Sequence, residues 1–204
     1  MTDEGGWEPE DHAPGGWPVS LRGVTEGVVA TLGPNELWNF AALGIHAGPP
    51  VTARTYGNTR TRRNFDRHGG GVVQFVADPR DFVDAALSIR EETEPVLDSA
   101  DAWVEVDAQQ VDSREEGETT IRTWELTPVT GEVVRRQPAT YNRAFGAVVE
   151  ATVAASRLGV PGFDDDELRE RLNFFADTVD RCGGEREREA MARVAEYVDW
   201  SPDT

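Results

Sequence analysis

The hydrophobic period changes once along this chain, at Tyr141, and that change restricts the fold more than any other feature. Upstream, apolar residues alternate with polar ones or run in short stretches broken by Gly and Pro, which is the pattern of strands joined by tight turns. Downstream, they recur at three- and four-residue steps, as on helices packed along one face. Strands in one run followed by helices in another predict an α+β fold.

Val24 to Leu32 and Leu37 to His46 read as a hairpin around Gly33-Pro34-Asn35-Glu36, and Gly48-Pro49-Pro50 turns the chain into a third strand, Val51 to Tyr56. Gly57 to Arg67 is polar and basic, with Thr59 or Asn58 placed to cap a short helix. Val72 to Ala77 is a buried strand, and Asp78-Pro79 opens a helix with Pro in the first turn, running to Leu87. Ser88 to Leu97 reads as a charged connection. Ala102 to Val111 alternates as a half-exposed strand, Ser113 to Thr119 reads as an acidic hairpin loop, Thr120 to Leu126 returns, and Glu132 to Arg136 extends the sheet. Six or seven short strands joined mostly by hairpins fit a small antiparallel barrel.

Beyond Tyr141 the pattern predicts three helices: one ending near Leu158, one opened by Asp164 to Glu167, and one from Glu185 to Val198. The expected organisation is an acidic disordered arm over 1–22, a barrel over 23–138, and a helical segment over 139–204 packed on the barrel. Trp7 and Trp17 are expected to pack on the domain despite lying in a Gly/Pro-rich arm.

The 38 Asp and Glu residues outnumber 20 basic ones, all of them Arg, for a formal charge of −18. Such a field argues against nucleic acid or an anionic membrane as a partner. Self-repulsion of this size is relieved at molar salt, where the Debye length falls to about 3 Å, and this points to a salt-rich cytoplasm such as that of halophilic archaea; a mesophilic acidic protein from a GC-rich genome, with Arg in place of Lys for codon reasons, is the other reading. No apolar run approaches the length of a membrane helix, and Met1 to Trp17 lacks the apolar core of a signal peptide. A soluble cytoplasmic protein is expected. Cys182 stands alone, and His12, His46 and His68 have no metal-ligand spacing, so no metal is expected.

Two clusters carry chemistry. Arg54-Thr55-Tyr56-Gly57-Asn58-Thr59-Arg60-Thr61-Arg62-Arg63-Asn64 is the densest positive stretch of an acidic chain, and it joins a strand to a helix start. Helix-terminal amides, Thr hydroxyls and Arg forks together suit a phosphate monoester; an Arg-rich turn that merely neutralises neighbouring carboxylates is the other reading. Leu37-Trp38-Asn39-Phe40-Ala41-Ala42-Leu43-Gly44 is a strand with small residues, leaving room for a flat ligand against backbone; a barrel corner would need the same residues.

Taken together, Asn39-x-Ala41-x-x-Gly44 followed by Arg54-x-Tyr56-x-x-Thr59-x-Thr61-x-x-Asn64 resembles the FMN-binding split barrel of flavin reductase-like proteins. More narrowly, the chain resembles the archaeal family known as domain of unknown function 447, as a haloarchaeal member. The resemblance continues through Asp78-Pro79, Ala100-Asp101-Ala102, Tyr141-Asn142-Arg143-Ala144-Phe145-Gly146-Ala147-Val148 and Gly183-Gly184-Glu185, and spans Val24 to Val198. It implies a six-stranded antiparallel split β-barrel with a C-terminal three-helix tail, and a homodimer with FMN at the subunit interface. Carried over by position, Thr59 and Thr61 would hold the phosphate with Arg54 and Arg60 nearby, and Asn39, Ala41, Ala42 and Gly44 would meet the ring system. Tyr56 and Asn64 fall on the same motif. Asn142 and Arg143 would close the pocket, from the partner subunit. Thr55 stands where many relatives have Pro, which would loosen the strand end, Leu43 where they often have Met, and Thr61 where related oxidases have a basic residue. The implied activity is a flavin-dependent oxidoreductase of unknown substrate. A non-catalytic flavin-binding protein for storage or sensing, and a deazaflavin-binding relative, are the alternatives; haem would need His46 or His68 as its ligand.

Overall fold

The computed structural model describes residues 16–138 and 140–202. Its elements are β1 (Val24–Leu32), β2 (Trp38–His46), β3 (Thr52–Tyr56), α1 (Arg60–His68), β4 (Gly70–Val76), α2 (Pro79–Leu87), β5 (Arg90–Glu92), β6 (Ala100–Glu116), β7 (Thr119–Val133), α3 (Arg143–Ala155), α4 (Asp165–Cys182) and α5 (Glu185–Tyr197). Six strands close a ring in the order β1-β4-β6-β7-β3-β2, with β2 returning to β1 from Val24↔His46 to Leu32↔Trp38. Every pairing is antiparallel, and β5 adds to the outer edge of β2. The fold is α+β: a six-stranded barrel and a helical layer.

Side-chain alternation divides the barrel residues between two cores. Val29, Leu43, Ile45, Ala53, Val73, Val104, Val106, Trp124 and Leu126 form one cluster with Phe65 of α1. Their neighbours Val28, Ala30, Phe40 and Val72 pack instead against Phe82 and Ala85 of α2. The continuous apolar run in β1 follows from this, because that strand is buried on both faces. α2 is also two-sided, turning Val83 and Leu87 into the third cluster, which α3, α4 and α5 build. It lies beside α5, where Asp84 receives Arg193 and the Tyr197 hydroxyl (2.9 Å) and Arg80 meets Glu189.

The expected caps are present: Thr59 on α1, Asp78 on α2 with Pro79 following, and Asp164 on α4. Trp17 is 2% exposed and joins the barrel core, so the segment entering β1 is pinned by its tryptophan. Trp7 and most of the predicted arm lie outside the described residues.

Four local readings change. The predicted acidic loop is mostly strand: β6 runs to Glu116 and β7 begins at Thr119, leaving Gly117 (φ 60°) and Glu118 as the turn. β7 also continues through Pro128, which sits opposite Val106 beside a register shift, where a missing N–H is tolerated. The charged connection after α2 contains β5, which three long polar side chains conceal from pattern reading. α3 stops at Ala155 rather than Leu158.

Gln74 of β4 is fully buried; its Oε1 accepts from Leu97 N–H (2.8 Å) and its Nε2 donates to the Pro95 carbonyl (3.0 Å). Those bonds hold the segment between β5 and β6 against the barrel. Gln74→Leu strands both backbone groups, and unfolding is expected to become easier by about 2–4 kcal/mol. Denaturant titration checks this; an unchanged midpoint would show that the segment contributes nothing.

Candidate functional site: a slit between β2 and β3

The barrel is closed everywhere except along one seam. β2 pairs with β3 only at Ile45↔Ala53 and His46↔Thr52, and with β5 only from Trp38↔Glu92 to Phe40↔Arg90. Residues 41–44 therefore have a partner strand on the β1 side alone.

The register settles which backbone groups face the gap. Leu37 accepts from Gly33 N–H and Ala47 donates to the Gly23 carbonyl, both at 2.8 Å, so odd-numbered residues of β2 turn their peptide groups to β1. Even-numbered ones turn away, and Ala42 lies within the gap with Gly44 at its fork. On the other lip, Gly57 N–H donates to Thr120 (2.8 Å) and the Val51 carbonyl accepts from Leu126 (2.9 Å), so odd residues of β3 face β7. Arg54 and Tyr56 then face the gap. Carried onward, the β2–β3 register would set Gly44 opposite Arg54 and Ala42 opposite Tyr56. The strands part instead after Ile45↔Ala53 while β3 stays on β7 to Tyr56, and Gly57 (φ 64°) then turns the chain into α1, a conformation that glycine adopts without strain.

The start of α1 continues that lip. Thr59 accepts from Arg62 N–H through its side chain (3.2 Å), while Arg63 N–H bonds the Thr59 carbonyl (3.2 Å). The N–H groups of Arg60 and Thr61, first in the helix, have no partner among the described residues, as helix starts require. Two side chains here are nearly buried and still unused. Thr61 is 4% exposed and Asn39 is 5% exposed, and neither the hydroxyl nor the amide makes a hydrogen bond within the described chain. Among the described residues the fully buried side-chain atoms without a partner are Arg62 Nε and Ser99 Oγ; the polar atoms of Asn39 and Thr61 instead keep an edge that water or a polar ligand can reach.

Asn64 has a different task. Its Nδ2 donates to Thr31 Oγ1 (3.0 Å) and its Oδ1 accepts from Arg67 (3.0 Å), which clamps α1 onto β1. Thr55 does not loosen β3: its Oγ1 accepts from the buried Trp124 indole N–H (2.9 Å), and Trp124 packs on Phe65.

The arginines of the cluster are unequally available. Arg60 donates to Glu91 of β5 (2.7 Å). Arg62 is held by Asp66 (2.7 Å) and by the Asn58 side chain, and Arg63 donates to the Asn58 carbonyl (2.8 Å). Arg54, half-buried on the lip, has no hydrogen-bond or ion-pair partner among the described residues. Its charge reaches His46: burial first, and Arg54 second, lower the imidazole pKa.

Asn142 and Arg143 are exposed at the start of α3, where Asn142 accepts from Ala144 N–H (2.9 Å). No hydrogen bond or ion pair joins either residue to the slit. A separate cavity of about 460 Å³ lies between the barrel end and the helices, lined by Asp78, Asp81, Arg135 and Arg186 among others, and none of the predicted site residues reaches it.

A six-stranded barrel, opened along one seam with a helix start beside the opening, defines a split barrel with arginines on one lip. Residues 25–135 match the family described as "Protein of unknown function (DUF447) N-terminal domain", and residues 142–196 match the second part of the same family. The chain belongs to that family. An FMN-bound protein of this family from Methanosarcina mazei is similar at 25% identity, with 87% of this chain and 96% of that one covered and a TM-score of 0.73. Component B of nitrilotriacetate monooxygenase from Bacillus cereus is 16% identical over 62% of this chain and 79% of its own, with a TM-score of 0.40. An FMN-binding protein from Thermus thermophilus is 16% identical over 59% and 78%, with a TM-score of 0.38. Overlays as loose as these last two do not inform the site. No helix among the described residues is long and apolar enough to cross a membrane.

Proposed function

We propose that this chain binds FMN in the slit between β2 and β3 and serves as a flavin-dependent oxidoreductase. The observation that carries the reading is the pair of unused, nearly buried polar side chains, Asn39 and Thr61, beside open backbone and a helix start with free amides. The FMN-bound relative supports it. FMN, once bound, supplies the hydride chemistry. The chain's own residues do the holding: the Arg60 and Thr61 amides and the Thr59 and Thr61 hydroxyls donate to the phosphate, and Arg54 supplies the free cation. Thr59 accepts from Arg62 through a lone pair, so its hydroxyl proton stays free to donate. Ala42 and Gly44 offer backbone edge to the ring, their small size keeping the approach open.

The functional unit is a homodimer with flavin at the interface, in which Asn142 and Arg143 come from the second copy. Tyr141 beside them is 95% exposed, a large side chain with nothing over it among the described residues. Net charge −18 and the absence of Lys fit a haloarchaeal cytoplasm, so the measurements belong in molar salt. The test is the visible spectrum of the purified protein with an FMN titration of the apoprotein. Oxidised-flavin absorbance and saturable one-per-chain binding are expected; an apoprotein that is folded by circular dichroism and does not bind FMN would overturn the reading. Light scattering that finds a flavin-loaded monomer removes the dimer.

Glu91 withholds a second cation from the phosphate, because Arg60 donates to it (2.7 Å). An exposed pair of this kind is worth about 0.2–1 kcal/mol. Glu91→Gln should therefore tighten FMN by up to about fivefold, as read by flavin fluorescence titration. Weaker binding in the variant would mean that Glu91 positions Arg60 instead of withholding it.

A further inference from the structure

Beside the slit, one carboxylate lies where no sequence motif singles it out. Glu26 of β1 is the register partner of Gly44, and the two form a pair whose peptide groups do not bond each other, the arrangement that brings side chains closest. Because Gly44 has no side chain, the Glu26 carboxylate folds across it: a Cβ built on Gly44 would stand 3.8 and 3.9 Å from the two Glu26 oxygens. The same Cβ would stand 2.9 Å from Val24 Cγ1, so glycine is what admits this packing.

Two pairs of charged or titratable groups lie along this part of the seam: Glu26 of β1 feels Glu150 of α3, and His46 of β2 feels Arg54 of β3. Glu26 keeps contact with solvent, yet burial first and repulsion from Glu150 second raise its carboxyl pKa above the ordinary range. Arg54 faces the same opening with the opposite sign and no partner of its own.

We propose that Glu26, lying across Gly44 with Glu150 behind it, sets the reduction potential of the flavin held in the slit. The inference rests on the FMN reading above. Reduction adds negative charge to the bound flavin, and a carboxylate lying beside the Gly44 backbone opposes that charge. Glu26 acts on the flavin through its field, as a tuning residue, without taking part in bond making. Glu150 acts through Glu26 by keeping its proton on to higher pH.

The experiment compares dissociation constants for oxidised and reduced FMN in wild type, Glu26→Gln and Glu150→Gln, at pH 8 and over a series of lower pH values. At pH 8, Glu26→Gln is expected to favour reduced over oxidised FMN about tenfold relative to wild type, a shift of about +30 mV for a two-electron couple. As pH is lowered and Glu26 in the wild type takes up its proton, the two should converge. Glu150→Gln should move the pH of that convergence downward while leaving the pH 8 ratio near that of wild type. Identical ratios for Glu26→Gln and wild type at pH 8, with FMN bound normally in both, overturn the tuning role and leave the FMN reading standing. No FMN bound by wild type at all overturns both.

A readout free of flavin tests the same electrostatics. A carboxyl whose folded pKa is raised destabilises the fold once pH exceeds its unfolded value, and it has no effect below that value, where both states are protonated. Apo Glu26→Gln should accordingly melt higher than wild type at pH 8 and equally below the ordinary glutamate range. A higher melting point that persists at low pH would assign the effect to packing and overturn the charge argument.

Discussion

Replacing Thr59 and Thr61 together by alanine is expected to weaken FMN binding by about 100-fold to 10,000-fold, because each hydrogen bond to a charged phosphate contributes about 1.5–3 kcal/mol. The two positions carry different structural burdens. Thr59 caps α1 through Arg62 N–H, and its removal costs about 1 kcal/mol of stability on that account alone. Thr61 is nearly buried, with a hydroxyl that bonds nothing in the described chain, so Thr61→Val keeps its volume and removes only the donor. Thr59→Asn keeps an accepting cap. Thermal melts alongside the FMN titration separate the contributions: Thr61→Val should lose affinity at an almost unchanged melting point. Full affinity in Thr61→Val would remove Thr61 from the site.

Arg54→Ala should weaken FMN by about 10-fold to 100-fold, the loss of one charge-assisted bond to a phosphate. Arg62→Ala should change it by less than about threefold, since Asp66 and Asn58 already hold that guanidinium and little of its charge is free. The contrast is the informative quantity, because both substitutions remove one positive charge from the same stretch of an acidic chain. Equal losses in the two variants would mean that the phosphate responds to the overall field of the cluster and not to the arginine on the β3 lip. Isothermal titration at two salt concentrations reads both effects.

Local chemistry made much of this fold legible. Asp78-Pro79 announces α2, Thr59 announces α1, and the change of period at Tyr141 announces the helical layer, since each depends on residues a few positions apart. Of the motif residues, Ala42, Gly44, Arg54, Tyr56 and the start of α1 border one seam, whereas Asn64 is turned to β1. Where the seam opens was not legible, because it depends on which rung of the β2–β3 ladder is the last, and that is decided by how β3 lies between β7 and β2. Roles decided over long separations were hidden for the same reason. Asn64 clamps Thr31, 33 residues away, Thr55 serves Trp124, 69 residues away, and Glu91 holds Arg60 from a strand that three polar residues disguise. Glu26 was one acid among 38 until the register set it across Gly44.

The account stands on flavin occupying the seam, and backbone amide resonances followed during an FMN titration of the isotopically labelled apoprotein test that directly. The amides of Ala42, Gly44 and Tyr56 on the lips, and of Arg60 and Thr61 at the start of α1, are expected to shift together and to exchange more slowly with solvent once FMN is bound. Perturbations gathered instead around Asp78, Arg135 and Arg186 at the barrel–helix cavity, with the seam amides unchanged, would contradict it.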